Sequence, residues 1–405
     1  MRASRFHRDR PPQRKVRALR GERTTWHGRA AWLLENELVQ LTHLTGGGNI
    51  VDFHFKCENT INPFWVPRWR SMEPFEFEAA KHRKVYAPPE VGKLLCGIAG
   101  HTLCLDLFGA PSPEEAGLGR VLHGEAGVSR WKTSLEKSPT DVKLIASVRL
   151  PRTGLSFERR IRLTSGESIV YVRETVKNER QADHFFQWQQ HVTLGAPFLS
   201  PADCVVNLPG ARGLTHPAGY EGHELLKSNR KFTWPKAPHF HHGSVDLRRP
   251  LTTPGRGFVA GVQIAPDRSH AFVCALNTRL ALVIGYCFRR EDFPWITLWE
   301  ENRTRSYSPW KGREQTRGLE FGASPLPLTH SENFRLGDLF GTPTLAHLPA
   351  ESARSASYAF FLAHVPRETR AVANVAVRNR TLDLIGASGK LICSLPAGAI
   401  KEHLA

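Results

Sequence analysis

The chain lacks most of the short signatures that mark an enzyme class. It has no GxxxxGK[ST] phosphate loop, no GxGxxG after a strand, no GxSxG elbow and no HExxH helix. Those absences remove the commonest nucleotide, hydrolase and metalloprotease chemistries. Its seven cysteines (57, 96, 104, 204, 274, 287 and 393) include no CxxC pair and are odd in number, which argues against a disulfide scaffold or a zinc ribbon. No apolar run reaches the roughly 18 residues a membrane helix needs, so no membrane span is expected. The N-terminus has neither an apolar signal core nor a twin-Arg signal, so the expected compartment is the reducing cytoplasm. No repeat recurs at about 20 to 50 residues, which argues against a propeller.

What is present is ordinary for a globular protein: 405 residues, 40% hydrophobic, 23% charged. The net charge of +17 is unevenly spread, because residues 1–29 hold ten Lys or Arg against two acids. Residues 1–24 read as a basic, disordered arm, and residues 25–405 as one domain. No aromatic-studded basic motif follows the arm, which argues against nucleic acid as a partner. The +9 left on the rest of the chain suits an anionic substrate such as a sugar phosphate but does not require one.

Period-two alternation dominates. In VKLIASVRL (142–150), Val142, Leu144, Ala146, Val148 and Leu150 share one face. LSFERRIRLT (155–164) repeats the pattern, with Arg159 breaking it, and VDFHF (51–55) places Val51, Phe53 and Phe55 together. Further strands are expected at 169–176, 258–265, 280–288, 358–365 and 371–379, with a hairpin turn at Gly46–Asn49. Helical patterns are short, around 112–117 and 334–340. The expected fold class is all-β, a large antiparallel sandwich of curved sheets.

Three stretches carry candidate chemistry. RVLHGEAGVSRW (120–131) has glycines that let the backbone turn and present His123, while Trp131 offers a face on which a sugar ring stacks; a plain surface turn is the alternative. In QWQQHVTLGAPFL (187–199), Gln187, Gln189 and His191 share one strand face, with Trp188 and Gln190 on the other. Buried without partners, such groups cost about 1–3 kcal/mol each, so the face needs water or a polar ligand. The third, WITLWEENRTRSYSPWKGREQTRGLEFGASPLP (295–327), holds Trp299, Glu300 and Arg317, and Glu320 in an apolar strand. A carboxyl in apolar surroundings has a raised pKa suited to proton transfer; an ion pair between Glu320 and Arg317 is the alternative. His239, His241 and His242 form a competing, cupin-like metal candidate, without the downstream Glu and His such a site needs.

Taken together, these stretches resemble the galactose mutarotase-like (aldose 1-epimerase) superfamily. The resemblance rests on LENELVQLTHLTGGGNIVDFHF (34–55), LHGEAGVSRW (122–131), QHVTLGAPFL (190–199) and GLEFGASPLP (318–327), in that order over nearly the whole chain after residue 25. It implies an antiparallel β-supersandwich that binds a hexose or sugar phosphate and interconverts its anomers by ring opening, with no metal or organic cofactor. It further implies His191 as general acid, Glu320 as general base and His123 as a substrate-holding residue. Trp131, Trp188, Gln189, Trp299, Glu300 and Arg317 join His123 as expected sugar contacts. The family's Arg ahead of the Leu-His-Gly turn has no counterpart in CGIAGHTLC (96–104), and only Asp246 offers itself as the substrate-holding Asp. A carbohydrate-binding protein without turnover is therefore the second expectation.

Overall fold

The computed structural model describes residues 19–58 and 60–405. Most of the expected arm lies outside the described residues, but its last residues do not behave as an arm. Arg20–Trp26 is a strand paired in register with Arg29–Glu35. Its charged side chains suit an edge position, where one flank of the backbone faces no further strand among the described residues.

The alternating segments close into two large antiparallel sheets. The first has fourteen strands. A meander of Arg20–Trp26, Arg29–Glu35, Val39–Leu44 and Ile50–Phe55 leads into five central strands. We label these β1 (His101–Asp106), β2 (His184–Gly195), β3 (Arg256–Ile264), β4 (Trp295–Asn302) and β5 (Gln315–Gly322). They lie side by side in the order β1-β2-β5-β4-β3, and short strands continue the sheet to Ser244–Asp246. The second sheet has eight strands and includes Asp141–Leu150, Leu155–Thr164, Ile169–Asn178 and Ala353–His364.

One apolar core fills the space between the sheets. Phe53, Val192, Leu319 and Phe321 meet Leu144, Phe157, Val172 and Phe360, all nearly or fully buried. Burying each such side chain stabilises the fold by about 1.5–3 kcal/mol. Arg159 does not leave this inward face. It stays in the alternation, fully buried, with its Nε 2.7 Å from Glu174 Oε1 and an Nη donating to the Gly48 carbonyl at 2.9 Å. Val51 departs from its expected face: a register shift between Thr42 and His43 makes it the extra residue of a bulge, so Ile50 and Phe53 point into the core and Val51 packs with Ala31, Leu44 and Ala99.

The outer face of the eight-stranded sheet has a cover of its own. Asn374–Val377, Thr381–Ile385 and Leu391–Pro396 form a three-stranded sheet, and Val375, Leu382 and Leu384 pack against Phe272, Val283 and Phe361. Helices are short. Pro113–Gly117 and His330–Leu336 fall near the expected places, each opened by a capping box. Pro89–Leu95, unforeseen in the sequence, sits in the long connection between Phe55 and β1.

Candidate functional site

The pairing of β2 with β5 matches Gln189 to Gly322, Gln190 to Phe321 and Thr193 to Gly318, a register that sets His191 directly opposite Glu320. The neighbouring strands extend the row, with Thr102 of β1 beside His191 and Thr297 of β4 beside Glu320. Because Val192, Leu319 and Phe321 point into the core, His191 and Glu320 project from the sheet's other face.

That face is not wet. Gln187 and Gln189 are fully buried and hold down the segments that cross it. Gln187 accepts from the Phe108 amide at 3.0 Å and donates to the Leu328 carbonyl at 3.3 Å, while Gln189 donates to the Glu320 carbonyl at 3.1 Å. The covering segments leave a cavity of about 310 Å³ whose lining includes His123, His191, Trp299, Arg305 and Glu320.

Within it, His191 Nε2 lies 3.2 Å from Glu320 Oε1 without hydrogen-bond alignment, so that oxygen is buried with no hydrogen-bond partner. The Thr193 hydroxyl engages His191 Nδ1 at 2.9 Å, which fixes Nε2 as the nitrogen turned to the carboxyl. Burial pushes the Glu320 carboxyl well above its ordinary range. Burial, reinforced by the nearby His123, pushes His191 well below its own. Both effects favour uncharged groups, a protonated carboxyl beside a neutral imidazole.

His123 reaches the site through backbone geometry. Its φ is +64° and that of Gly124 is +75°, and a Cβ at Gly124 would collide with the Leu105 carbonyl. The glycine thus lets the turn lie directly on β1. His123 Nδ1 donates to the Phe108 carbonyl at 2.6 Å, and burial lowers its pKa to about 4. The ring is neutral, and its Nε2 is an unprotonated acceptor.

The lining beside His191 is aromatic and cationic, with the Trp299 ring centroid 5.7 Å from that of His191. Trp299 Nε1 donates to the Tyr220 hydroxyl at 2.8 Å, and that hydroxyl donates to Glu301 at 2.9 Å. The Arg305 guanidinium sits 4.8 Å over the Trp310 ring, with Glu221 and Glu301 oxygens at 3.7 and 3.8 Å. No sequence pattern marks Tyr220, Arg305 or Trp310 as site residues. Arg305 and Trp310 lie inside the 295–327 stretch, but on a loop with no periodicity to orient them.

Five expected sugar contacts lie elsewhere. Trp188 faces the core and donates to Glu174 at 3.0 Å, and Trp131 is buried there and donates to the Ala126 carbonyl at 2.9 Å. Glu300 and Arg317 face inward as a fully buried ion pair at 2.6 Å, which also removes the alternative partner for Glu320. Gln189 is on the cavity side of the sheet, but its amide is used by the Glu320 and Ser324 backbones. His239, His241 and His242 are not on a shared strand face; they occupy the loop between Lys236–Pro238 and Ser244–Asp246, and none lines the cavity. The Asp246 carboxylate is taken by Arg248 at 2.6 Å.

Gly318 gives the first prediction. A Cβ there would meet the Glu320 carboxylate, the movable end of a side chain rather than backbone. Gly318→Ala is expected to leave the melting temperature nearly unchanged while displacing that carboxylate, with a loss of up to about a hundred-fold in any turnover that depends on it. A fully active variant would show that Glu320's position is unimportant.

No family model matches the chain, and no curated protein does either. Solved structures do. A Klebsiella pneumoniae protein provisionally named an aldose 1-epimerase superposes with a TM-score of 0.60 at 13% identity, over 83% of this chain and 80% of that one. A galactose mutarotase-like protein from Clostridium acetobutylicum gives 0.57 at 11%, over 86% and 99%. A galactose mutarotase related enzyme from Lactobacillus acidophilus gives 0.50 at 9%, over 82% and 97%. At these identities the likeness speaks for architecture alone. The chain is all-β and has the galactose mutarotase-like fold.

Proposed function

We propose that the protein binds a hexose or a related aldose in the cavity and interconverts its anomers. The observation that carries this reading is the His191–Glu320 contact: two desolvated groups, opposite each other on adjacent strands and 3.2 Å apart, at the floor of a sugar-sized cavity.

Ring opening moves one proton off the anomeric hydroxyl and one onto the ring oxygen. In the ionised form of the pair, Glu320 carboxylate accepts the first and His191 imidazolium donates the second. Both residues are then neutral beside the open-chain aldehyde, the form that their burial favours. Rotation about C1–C2 and the reverse transfers close the ring on its other face. His123 Nε2 accepts from a sugar hydroxyl, and Trp299 gives the ring a flat apolar surface. No step calls for a metal or organic cofactor.

The test is proton NMR of freshly dissolved α-glucose, α-galactose and glucose 6-phosphate, with wild-type protein and with Glu320→Gln. Acceleration by the wild type that is lost in the variant supports the reading. No acceleration by a folded wild type overturns it for these sugars. A sugar-binding protein without turnover is the second reading, favoured by the absence of an Arg from the Cys96–Cys104 segment; saturable binding with no anomerisation would establish it.

A further inference from the structure

The eight-stranded sheet carries a basic hollow on its outer face. Lys143, Arg160, Arg162 and Arg173 line a cavity of about 360 Å³ there, bordered by the last residues of the chain, Glu402 and His403. Strand parity turns these four cations outward, because their sequence neighbours Leu144, Ile161 and Val172 are buried in the core. The His191–Glu320 cavity lies on the outer face of the other sheet, so both sheets and the core separate the two.

The register sets like charges against each other. Lys143 is directly opposite Arg162, and Arg160 is directly opposite Arg173. Like charges facing across neighbouring strands lower stability. The chain does little to offset this. Arg160 pairs with Glu158 at 2.7 Å, but among the described residues Lys143, Arg162 and Arg173 have neither an ion pair nor a side-chain hydrogen bond. Glu136 and Glu402 also line the cavity, and neither comes within ion-pair distance of a cation among the described residues. The Arg162 guanidinium is held 4.6 Å over the Tyr171 ring, whose hydroxyl is anchored on Glu167. Three guanidiniums and an ammonium thus surround one small cavity with more donors than the chain uses. Planar guanidiniums engage phosphate oxygens two at a time, and the volume suits one small molecule.

We propose that this hollow binds a small molecule carrying two linked phosphate groups, one for each opposed pair of cations. Arg160 and Arg162 are two residues apart on one strand, roughly 7 Å, a spacing their long side chains close onto a diphosphate. The ligand ties three strands together and neutralises both repelling pairs. The site is independent of the anomerisation reading.

The experiment is calorimetric titration of the full chain with sodium pyrophosphate, inorganic phosphate and sulfate at physiological salt, with thermal melts beside it. The wild type is expected to bind pyrophosphate at one site, about ten-fold or more tighter than the other two anions. Arg162→Gln and Arg173→Gln are each expected to weaken that binding by about ten-fold or more, the loss of one charge-assisted hydrogen bond. Arg149→Gln removes the same charge from the wider groove that adjoins the cavity at Arg160, and should change the affinity by about two-fold or less. Without ligand, Arg173→Gln should melt no lower than the wild type, because it removes a repulsion. ADP is titrated alongside: binding at least as tight as that of pyrophosphate assigns an esterified diphosphate, and weaker binding assigns the free ion. No saturable binding of pyrophosphate, binding matched by sulfate, or full affinity in a folded Arg162→Gln overturns the proposal. Binding of heparin alone, weakened equally by Arg149→Gln and Arg162→Gln, also overturns it and makes the face a surface for a long polyanion.

Discussion

Glu320→Gln is expected to slow anomerisation by about 10³-fold, within the 10²–10⁴ range typical of a single acid/base group. The amide keeps the volume of the carboxyl and the packing around it, but it cannot accept the anomeric proton. His191→Asn is expected to lose a similar factor. The double variant should be little slower than either single one, because both substitutions break one proton circuit across the same 3.2 Å contact. Losses that multiply would show that the two residues act independently. The pH profile carries a second signature. Burial raises Glu320 and lowers His191, so the pair keeps its single proton across neutral pH. Activity should therefore be level there, falling in acid when His191 takes a second proton and in base when the pair loses its only one. A rate that tracks ordinary histidine titration near pH 6.5 would contradict the neutral pair.

His43→Leu is expected to flatten the acid limb of the stability curve. His43 is fully buried, neither ring nitrogen has a hydrogen-bond partner, and burial lowers its pKa to about 3. The unfolded chain protonates this residue near pH 6.5, while the folded protein resists until about 3. Over that window the unfolded state holds the extra proton, so stability rises with pH and is lost as pH falls. Relative to His43→Leu, the wild type should lose about 1.4 kcal/mol for each pH unit descended within the window. Constant packing differences between Leu and His cancel in this slope. Urea unfolding of both proteins between pH 7 and 4 measures it; parallel curves would mean that His43 is hydrated or protonated in the folded state. His101, also fully buried and lowered to about 3, should give a similar limb, although its ring is held by Gln190 and Tyr286.

Which parts of this site could be read from the sequence follows from strand parity. Alternation placed Gln187, Gln189 and His191 on one face of β2, and the structure keeps them there. The same rule bears on the misassigned residues. Trp188 beside Gln189, and Glu300 beside Trp299, are neighbours in a strand, so only one of each pair can face the cavity. Both members of each pair have side chains suited to a sugar, and only the period separates them. Arg159 misled for a different reason: a charge in an apolar face looks like a break, and only the cross-strand Glu174 restores the pattern. Tyr220, Arg305 and the Pro89–Leu95 helix sit on connections whose course is set by what they cover, so no local rule places them.

The register of β2 against β5 also ties the accuracy of folding to chemistry. A slip of one residue would rotate every side chain of β5 to the opposite face, burying Glu320 against the core and presenting Phe321 to the cavity. Such a conformer would place an unpaired carboxyl among aromatic rings, and the cost of that burial selects against it. The residue expected to move the proton is therefore also one that makes the mispaired strand unstable. A chain that folds in this register carries His191 and Glu320 already facing each other.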